Sequence, residues 1–250
     1  MRLEGEIAIV TGANRGLGAT IADVLESEGA TVARTARGSG EIRLDVADRD
    51  SVEAAVVLVE RTLGTPTVLV NNAGINRIAS AEELDEERWD EVIDTNLTGA
   101  FRCSQVVGRR MLAAGRGSIV NVASILSTMG SPGRSAYCAS KAGLAGLTRA
   151  LAVDWSGRGV RVNAVCPGAV RTPMFEQAAA DGLVDVDAIL DRTPSDRIAS
   201  PEDVGRAIAF LASDDASSVT GQTIVVDGGF SVFGAAAPAL AAAQSTRNPR

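Results

Sequence analysis

Short β-branched runs separated by longer stretches of helical spacing constrain this chain more than any other feature. Ile7-Ala8-Ile9-Val10, Thr31-Val32-Ala33, Val68-Leu69-Val70, Ile119-Val120-Asn121-Val122, Val160-Arg161-Val162 and Thr223-Ile224-Val225-Val226 read as buried strands. Between them, Leu17, Ile21, Val24 and Leu25 share one face of a helix, as do Val204, Ile208 and Leu211. Strands that alternate with helices imply βαβ units, so the predicted fold is α/β: a doubly wound parallel sheet with helices on both faces. The 250 residues, 46% of them hydrophobic, suffice for one sizeable core. No repeat or interdomain linker is visible. From Gly168 to Pro201 there is no strong strand, which predicts an insertion of short helices. Beyond Gly234 the chain turns Ala-rich. The expected organisation is one domain over 1–234, with a loop at 173–200, and a tail at 235–250 lying outside the core and disordered.

Absences narrow the chemistry. The net charge of −7 argues against a nucleic-acid partner and gives no reason to expect a membrane surface. No apolar run reaches the roughly 18 residues of a membrane span. The acidic start, Met1-Arg2-Leu3-Glu4-Gly5-Glu6, does not resemble a signal peptide, so a cytoplasmic protein is expected. Cys103, Cys138 and Cys166 are far apart, forming neither a disulfide framework nor a metal pair. There is no histidine. That removes a Ser-His-Asp triad and any His-ligated metal, and no metal site is expected.

Thr11-Gly12-Ala13-Asn14-Arg15-Gly16-Leu17-Gly18 follows the first strand and opens the first helix. Glycines there permit a tight turn and bring backbone N–H groups to a pyrophosphate at the positive helix end. The spacing is G-x-x-x-G-x-G, so an unliganded Gly-rich turn stays open on this motif alone. Asp45-Val46 and Asn71-Asn72-Ala73-Gly74 fall at later strand ends, where a doubly wound sheet puts its ligand, although Asn and Gly also favour ordinary turns.

Tyr137 is the single tyrosine, and Lys141 is the single lysine among 24 basic residues. At i and i+4 they share a helix face, where a cation would lower the phenol's pKa. Ser124, at the end of the strand 118–122, could donate to an oxygen gaining negative charge, although a serine at a strand end is by itself usually a turn residue.

With T-G-A-N-R-G-L-G at 11–18, N-N-A-G at 71–74, N-L-T-G at 96–99, Ser124 with Y-C-A-S-K at 137–141, P-G-A-V-R-T at 167–172 and V-D-G-G at 226–229, the chain resembles the short-chain dehydrogenases/reductases from about Leu3 to Phe230. The resemblance implies a Rossmann-like sheet of about seven strands and hydride transfer between a nicotinamide and a ketone or secondary alcohol. It implies a catalytic set of Asn96, Ser124, Tyr137 and Lys141. Tyr137 would be the acid/base and Ser124 would polarise the carbonyl. Lys141 would hold the nicotinamide ribose and lower the tyrosine pKa, and Asn96 would position a water. The implied cofactor contacts are Gly12, Asn14, Arg15, Gly16, Leu17 and Gly18 in the loop; Asp45, Val46, Asn72, Ala73 and Gly74 towards adenosine; and Tyr137, Lys141, Pro167, Gly168, Val170 and Thr172 towards nicotinamide. By the same analogy the protein is a homotetramer, or a dimer, built on long helices at about 87–113 and 135–157. Two features depart from the family: the segment 38–44 is too short for its usual helix, and the tail is long.

About 20 residues past the glycine loop, an NAD enzyme carries an acid for the ribose 2′-OH. Here Ala36, Arg37 and Gly38 stand at that place. Arg37 with Arg15 would suit a 2′-phosphate, so NADP(H) is the expected cofactor, with NAD(H) possible. Arg37 as a solvated charge, or Glu41 as the ribose acceptor, are the alternatives. Over the substrate, Met174, Phe175, Leu183, Val184, Ile189 and Leu190 suggest a small apolar partner, and the intervening Asp181, Asp185, Asp187 and Asp191 a solvated face. A 3-oxoacyl-(acyl carrier protein) reductase is the runner-up, with Arg109, Arg110, Arg116 and Arg158 as its basic patch. A non-catalytic dinucleotide-binding protein is the alternative of another class, against which the complete catalytic set argues.

Overall fold

Successive residues of the central strands look to opposite faces of one parallel sheet. The computed structural model describes residues 1–38 and 42–234. Its strands are β1 (Ile7–Thr11), β2 (Thr31–Ala36), β3 (Ile42–Arg43), β4 (Val68–Asn71), β5 (Gly117–Val122), β6 (Val160–Pro167) and β7 (Thr223–Val226), in the order β3-β2-β1-β4-β5-β6-β7. Every neighbouring pair is parallel, with Val10 opposite Arg34 and Val70, and Val70 opposite Val120. Ala8, Val10, Val68, Val70 and Val120 join one buried layer, while Ile9, Leu69 and Ile119 join the other. A strand period of two therefore supplies both cores at once.

The first layer is closed by α1 (Gly16–Ser27) and α8 (Pro201–Ala212), through Ile21, Leu25, Val204, Ile208 and Leu211. The second is closed by α2 (Arg49–Thr62), α4 (Gly99–Ala114) and α5 (Ser135–Trp155), through Val52, Val56, Val106, Met111 and Leu151. Two helices against three is the consequence of the short connection after β2, where the described residues 37, 38 and 42–45 form no helix. Glu41, the alternative ribose acceptor, and the tail 235–250 lie outside the described residues. Among the described residues, no helix is long and apolar enough to cross a membrane.

The helix expected at 87–113 is divided. α3 (Glu86–Ile93) passes into a π-helical turn, Asp94–Thr98, before α4 begins. A π turn inserts a residue into the helical repeat and re-aims side chains, a device found often at functional sites. Asn96 lies at its centre, 1% exposed. The insertion forms two short helices, α6 (Pro173–Ala180) and α7 (Val186–Asp191), anchored by a bridge between Val170 and Ala199. Side-chain caps start most helices: Asp48 for α2, Asp85 for α3, Thr172 for α6, Asp185 for α7, and a Ser200–Asp203 capping box for α8.

A buried amide chain ties the sheet to the helix that carries Tyr137. Asn71 Nδ2 donates to Ser104 Oγ at 2.9 Å and to Asn121 Oδ1 at 2.8 Å, and Asn121 Nδ2 donates to Thr148 Oγ1 at 2.9 Å. β4, β5, α4 and α5 are thereby joined through groups that have no water to turn to. Asn121→Ala removes the middle of the chain and takes one hydrogen bond each from Asn71 and Thr148, so the unfolding free energy should fall by about 2 kcal/mol. Urea titration should show the midpoint lowered with an unchanged slope.

Candidate active site

The carboxyl ends of β1 and β4 sit where the strand order reverses, the crevice in which doubly wound sheets bind ligands. The turn out of β1 needs glycine for two separate reasons. Gly12 and Gly16 take φ of +66° and +56°, the left-handed region that glycine enters without cost. A Cβ on Gly18 would run into the Gly12 carbonyl and the Asn72 amide. Thr11 Oγ1 accepts from Asn72 N and Ala73 N, both at 3.0 Å, and Asn72 Nδ2 donates back to Thr11 O at 2.9 Å. Asn72, expected towards adenosine, thus pins the two strand ends together and shapes the loop from below. Asp45 folds onto its own turn, accepting from Ala47 N at 3.0 Å, while Val46 is buried and packs against Gly99.

Whether this cradle fits a dinucleotide is tested by the start of α1. Its N-cap position is Arg15, in extended conformation, with no side-chain cap and no acid in the first turn. The positive helix end is left bare over a glycine turn, as an anionic pyrophosphate requires. Arg15 and Arg37 are both exposed, Arg37 just past β2, and Ala13 N bonds Thr35 O at 2.9 Å, holding the loop against that strand. The residues present fit the cofactor.

Along the sheet, Ser124 and Tyr137 meet beyond β5. Burial is the largest influence on the Tyr137 phenol and raises its pKa; the Ser124 hydroxyl, hydrogen-bonded to it, and the Arg134 charge pull it back. Lys141 is 4% exposed, with Nζ donating to Val122 O at 2.6 Å and standing 5.6 Å from the Tyr137 ring centroid. Burial lowers its pKa to about 8. Burial outweighs the influences that lower the phenol's pKa, which lies above its ordinary value. The ammonium is itself desolvated and spends a proton on a backbone carbonyl, and the phenol remains a protonated acid at neutral pH.

Asn96 acts on the backbone. Its Oδ1 accepts from Ile75 N at 2.8 Å, and its Nδ2 donates to Ile75 O at 2.9 Å and to Ser140 Oγ at 3.1 Å. The amide clamps the strand-end loop to α5, with Gly74 fitting between Asn96 and Lys141. Thr172, expected at the nicotinamide, accepts from Phe175 N at 3.2 Å as the cap of α6, and Gly168 lies tight against Asp227. The apolar residues of the insertion do not form one surface: Leu190 is buried, whereas Met174 and Leu183 are 76% and 79% exposed. Two residues at the site have no role of their own in the sequence reading. Thr11 is the hub under the glycine turn, and Arg134 stands three residues before Tyr137 on the same helix. Its i, i+3 spacing was the available signal.

Comparisons with known proteins agree with this geometry. A family model described as Enoyl-(Acyl carrier protein) reductase matches residues 12–231. A 3-oxoacyl-(acyl carrier protein) reductase from Thermotoga maritima is 42% identical over 246 residues, covering 92% of this chain and 99% of the relative. A D-threitol dehydrogenase from Mycolicibacterium smegmatis is 41% identical, covering 92% and 95%. The crystal structure of a gluconate 5-dehydrogenase from Burkholderia cenocepacia, in complex with NADP and tartrate, superposes with a TM-score of 0.85 at 31% identity, covering 92% and 97%. The chain belongs to the short-chain dehydrogenases/reductases and is an oxidoreductase acting on CH–OH groups.

Proposed function

We propose that Tyr137 is the acid/base of an NADP(H)-dependent interconversion of a ketone and a secondary alcohol, with Ser124 and Lys141 as its partners. The single observation that carries this is the pairing of the Ser124 hydroxyl with the Tyr137 phenol over the buried Lys141 ammonium. The bound nicotinamide supplies or accepts the hydride. In reduction, the phenol gives its proton to the carbonyl oxygen while Ser124 donates a hydrogen bond to the same oxygen. Lys141, with a pKa near 8, exchanges protons close to neutral pH and can renew the phenol's. Asn96 keeps Ile75 and α5 in register beneath it.

The start of α1 and the loops after β4 and β6 are the cofactor surface of this reading, with Arg15 and Arg37 taking the 2′-phosphate. Both guanidinium groups are exposed and without an ion pair among the described residues, in line with a phosphate ligand. The NADP complex of the gluconate dehydrogenase supports the choice. The acyl-carrier reading keeps the likeness to the Thermotoga maritima reductase as its support, but not the whole of its basic patch. Arg110 pairs with Glu60 and Arg116 with Glu6, leaving Arg109 and Arg158 of the four basic residues. The same proposal includes a cytoplasmic homotetramer assembled on α4 and α5, where Phe101 and Val153 are exposed.

Tyr137→Phe should cut kcat about 10²- to 10⁴-fold with the affinity for NADPH nearly unchanged. More than a tenth of wild-type turnover in that variant refutes the assignment. Arg37→Asp should lower kcat/KM for NADPH by about tenfold or more while sparing or improving NADH, because each charge-assisted hydrogen bond is worth about 1.5–3 kcal/mol. A wild type that prefers NADH overturns the cofactor choice.

Lys141 makes a further, cofactor-free prediction. Between its folded pKa of about 8 and its ordinary 10.5, the unfolded chain holds a proton that the folded chain has released. Stability contributed by this site therefore rises with pH across that window, and below it the full cost of burying the ammonium remains. Relative to Lys141→Met, the wild type should gain about 2 kcal/mol from about pH 7.5 to about pH 10 in denaturant titrations. Parallel pH profiles for the two proteins would show that the lysine titrates normally.

A further inference from the structure

Arg134 is a half-buried cation with no ion-pair partner among the described residues, three positions before Tyr137. Among the described residues, the other arginines withdrawn from solvent are all engaged. Arg34 binds Asp23 and Glu26, Arg77 binds Glu91, Arg102 binds Asp94, Arg110 binds Glu60, and Arg161 holds the carbonyls of Leu211 and Ser213. Among the described residues the Arg134 side chain has no hydrogen bond or ion pair. Partial desolvation of an unpaired guanidinium is unfavourable, and a chain with 31 acidic residues does not lack partners.

Its position on the helix compounds the cost. Arg134 is the N-cap residue of α5, which starts with no side-chain cap and no acid in its first turn. A cation is thus set at the positive end of a helix dipole, where an anion is favoured. α1 and α5 are the two helices that begin from a loop without a side-chain cap. The first faces the dinucleotide crevice, and the second begins one turn before Tyr137. Glu86 and Asp90 of α3 line a cavity beside Ser135, but neither pairs with Arg134. The Arg134 charge reaches the phenol, since it is one of the influences that stabilise the ionised form. An uncompensated positive site of this kind, beside the proton donor, is complementary to a negative group on the molecule being reduced.

We propose that Arg134 recognises a carboxylate on the substrate, so that the molecules turned over are keto acids and the corresponding hydroxy acids. This inference rests on Tyr137 as the acid, and replaces the small apolar ketone suggested by the 173–200 segment. The planar guanidinium binds both oxygens of a carboxylate, which fixes the distance between that group and the carbonyl presented to Tyr137. Arg134 is the N-cap three residues before Tyr137, and the spacing between carboxylate and carbonyl is what a series of keto acids reads out.

The test compares 2-, 3- and 4-keto acids with their methyl esters, in the wild type, Arg134→Gln and Arg134→Lys, with NADPH as reductant. The quantity read is the acid-to-ester ratio of kcat/KM, which cancels any change that Arg134 causes in the phenol. In the wild type at least one acid should exceed its ester by roughly 10- to 100-fold, mainly through KM. Arg134→Gln should bring that ratio to about one, and Arg134→Lys should restore part of it. Esters turned over as well as every acid by the wild type, or an acid preference that survives Arg134→Gln, overturns the proposal while leaving the Tyr137 reading intact. A higher KM for NADPH with an unchanged ratio places Arg134 on the cofactor and overturns it as well. A wild type inert towards acids and esters alike refutes both readings together.

Discussion

Parallel strands cannot be joined by tight turns, so each crossover must climb back along the sheet and cover one of its faces. Everything else in this protein hangs on that constraint. Both faces of β1, β4 and β5 are buried, which is why Val10 and Ile9, or Val70 and Leu69, serve different cores from adjacent positions. The carboxyl ends of all the strands then open on one side of the molecule. Residues proposed for catalysis and for the cofactor, separated by more than a hundred positions, meet there because the crossovers leave them nowhere else to go.

At that rim the protein uses desolvation as its main electrostatic tool. Lys141 sits in the core with a carbonyl for company, and its proton becomes labile near neutral pH. Tyr137 is driven the other way, towards the neutral phenol, with Ser124 and Arg134 limiting the shift. In the proposed reaction the two groups would therefore divide the work: one stays loaded as an acid, and the other exchanges. Polar side chains beneath them are almost fully occupied. Asn71, Asn121 and Thr148 bind one another, Asn72 and Thr11 bind across β1 and β4, and Asn96 holds Ile75. Such networks fix positions to within a fraction of an ångström, which proton transfer needs.

The bare helix ends show the same economy. Five helices carry side-chain caps; α4 continues from the π turn without one, and α1 and α5, which start from loops, begin uncapped at the glycine turn and just before Tyr137. An uncapped terminus leaves donors and a positive potential free for a ligand. In this fold the missing caps mark the functional side as clearly as the residues that are present.

How much of this was legible in the chain differs from residue to residue. The strand runs, the crossover helices, the glycine turn and the Tyr137–Lys141 spacing could be read directly, because each depends on local periodicity or on residue types that few other structures demand. Leu17, Ile21, Val24 and Leu25 face the core for the same reason. The roles of Asn72, Asn96 and Thr172 could not, since an amide or hydroxyl is equally suited to a ligand, a backbone clamp or a cap. Only the folded neighbours choose among these. The π turn that splits α3 from α4 left no pattern in the apolar spacing, and Arg134 looked like one more arginine in a chain of many. The sequence by itself determined the parallel α/β architecture and the family, through side-chain period and ordered motifs, and it singled out the candidate reacting groups. The tertiary structure decided which charges are desolvated and which lack a counter-ion, because both are properties of surroundings assembled from distant parts of the chain.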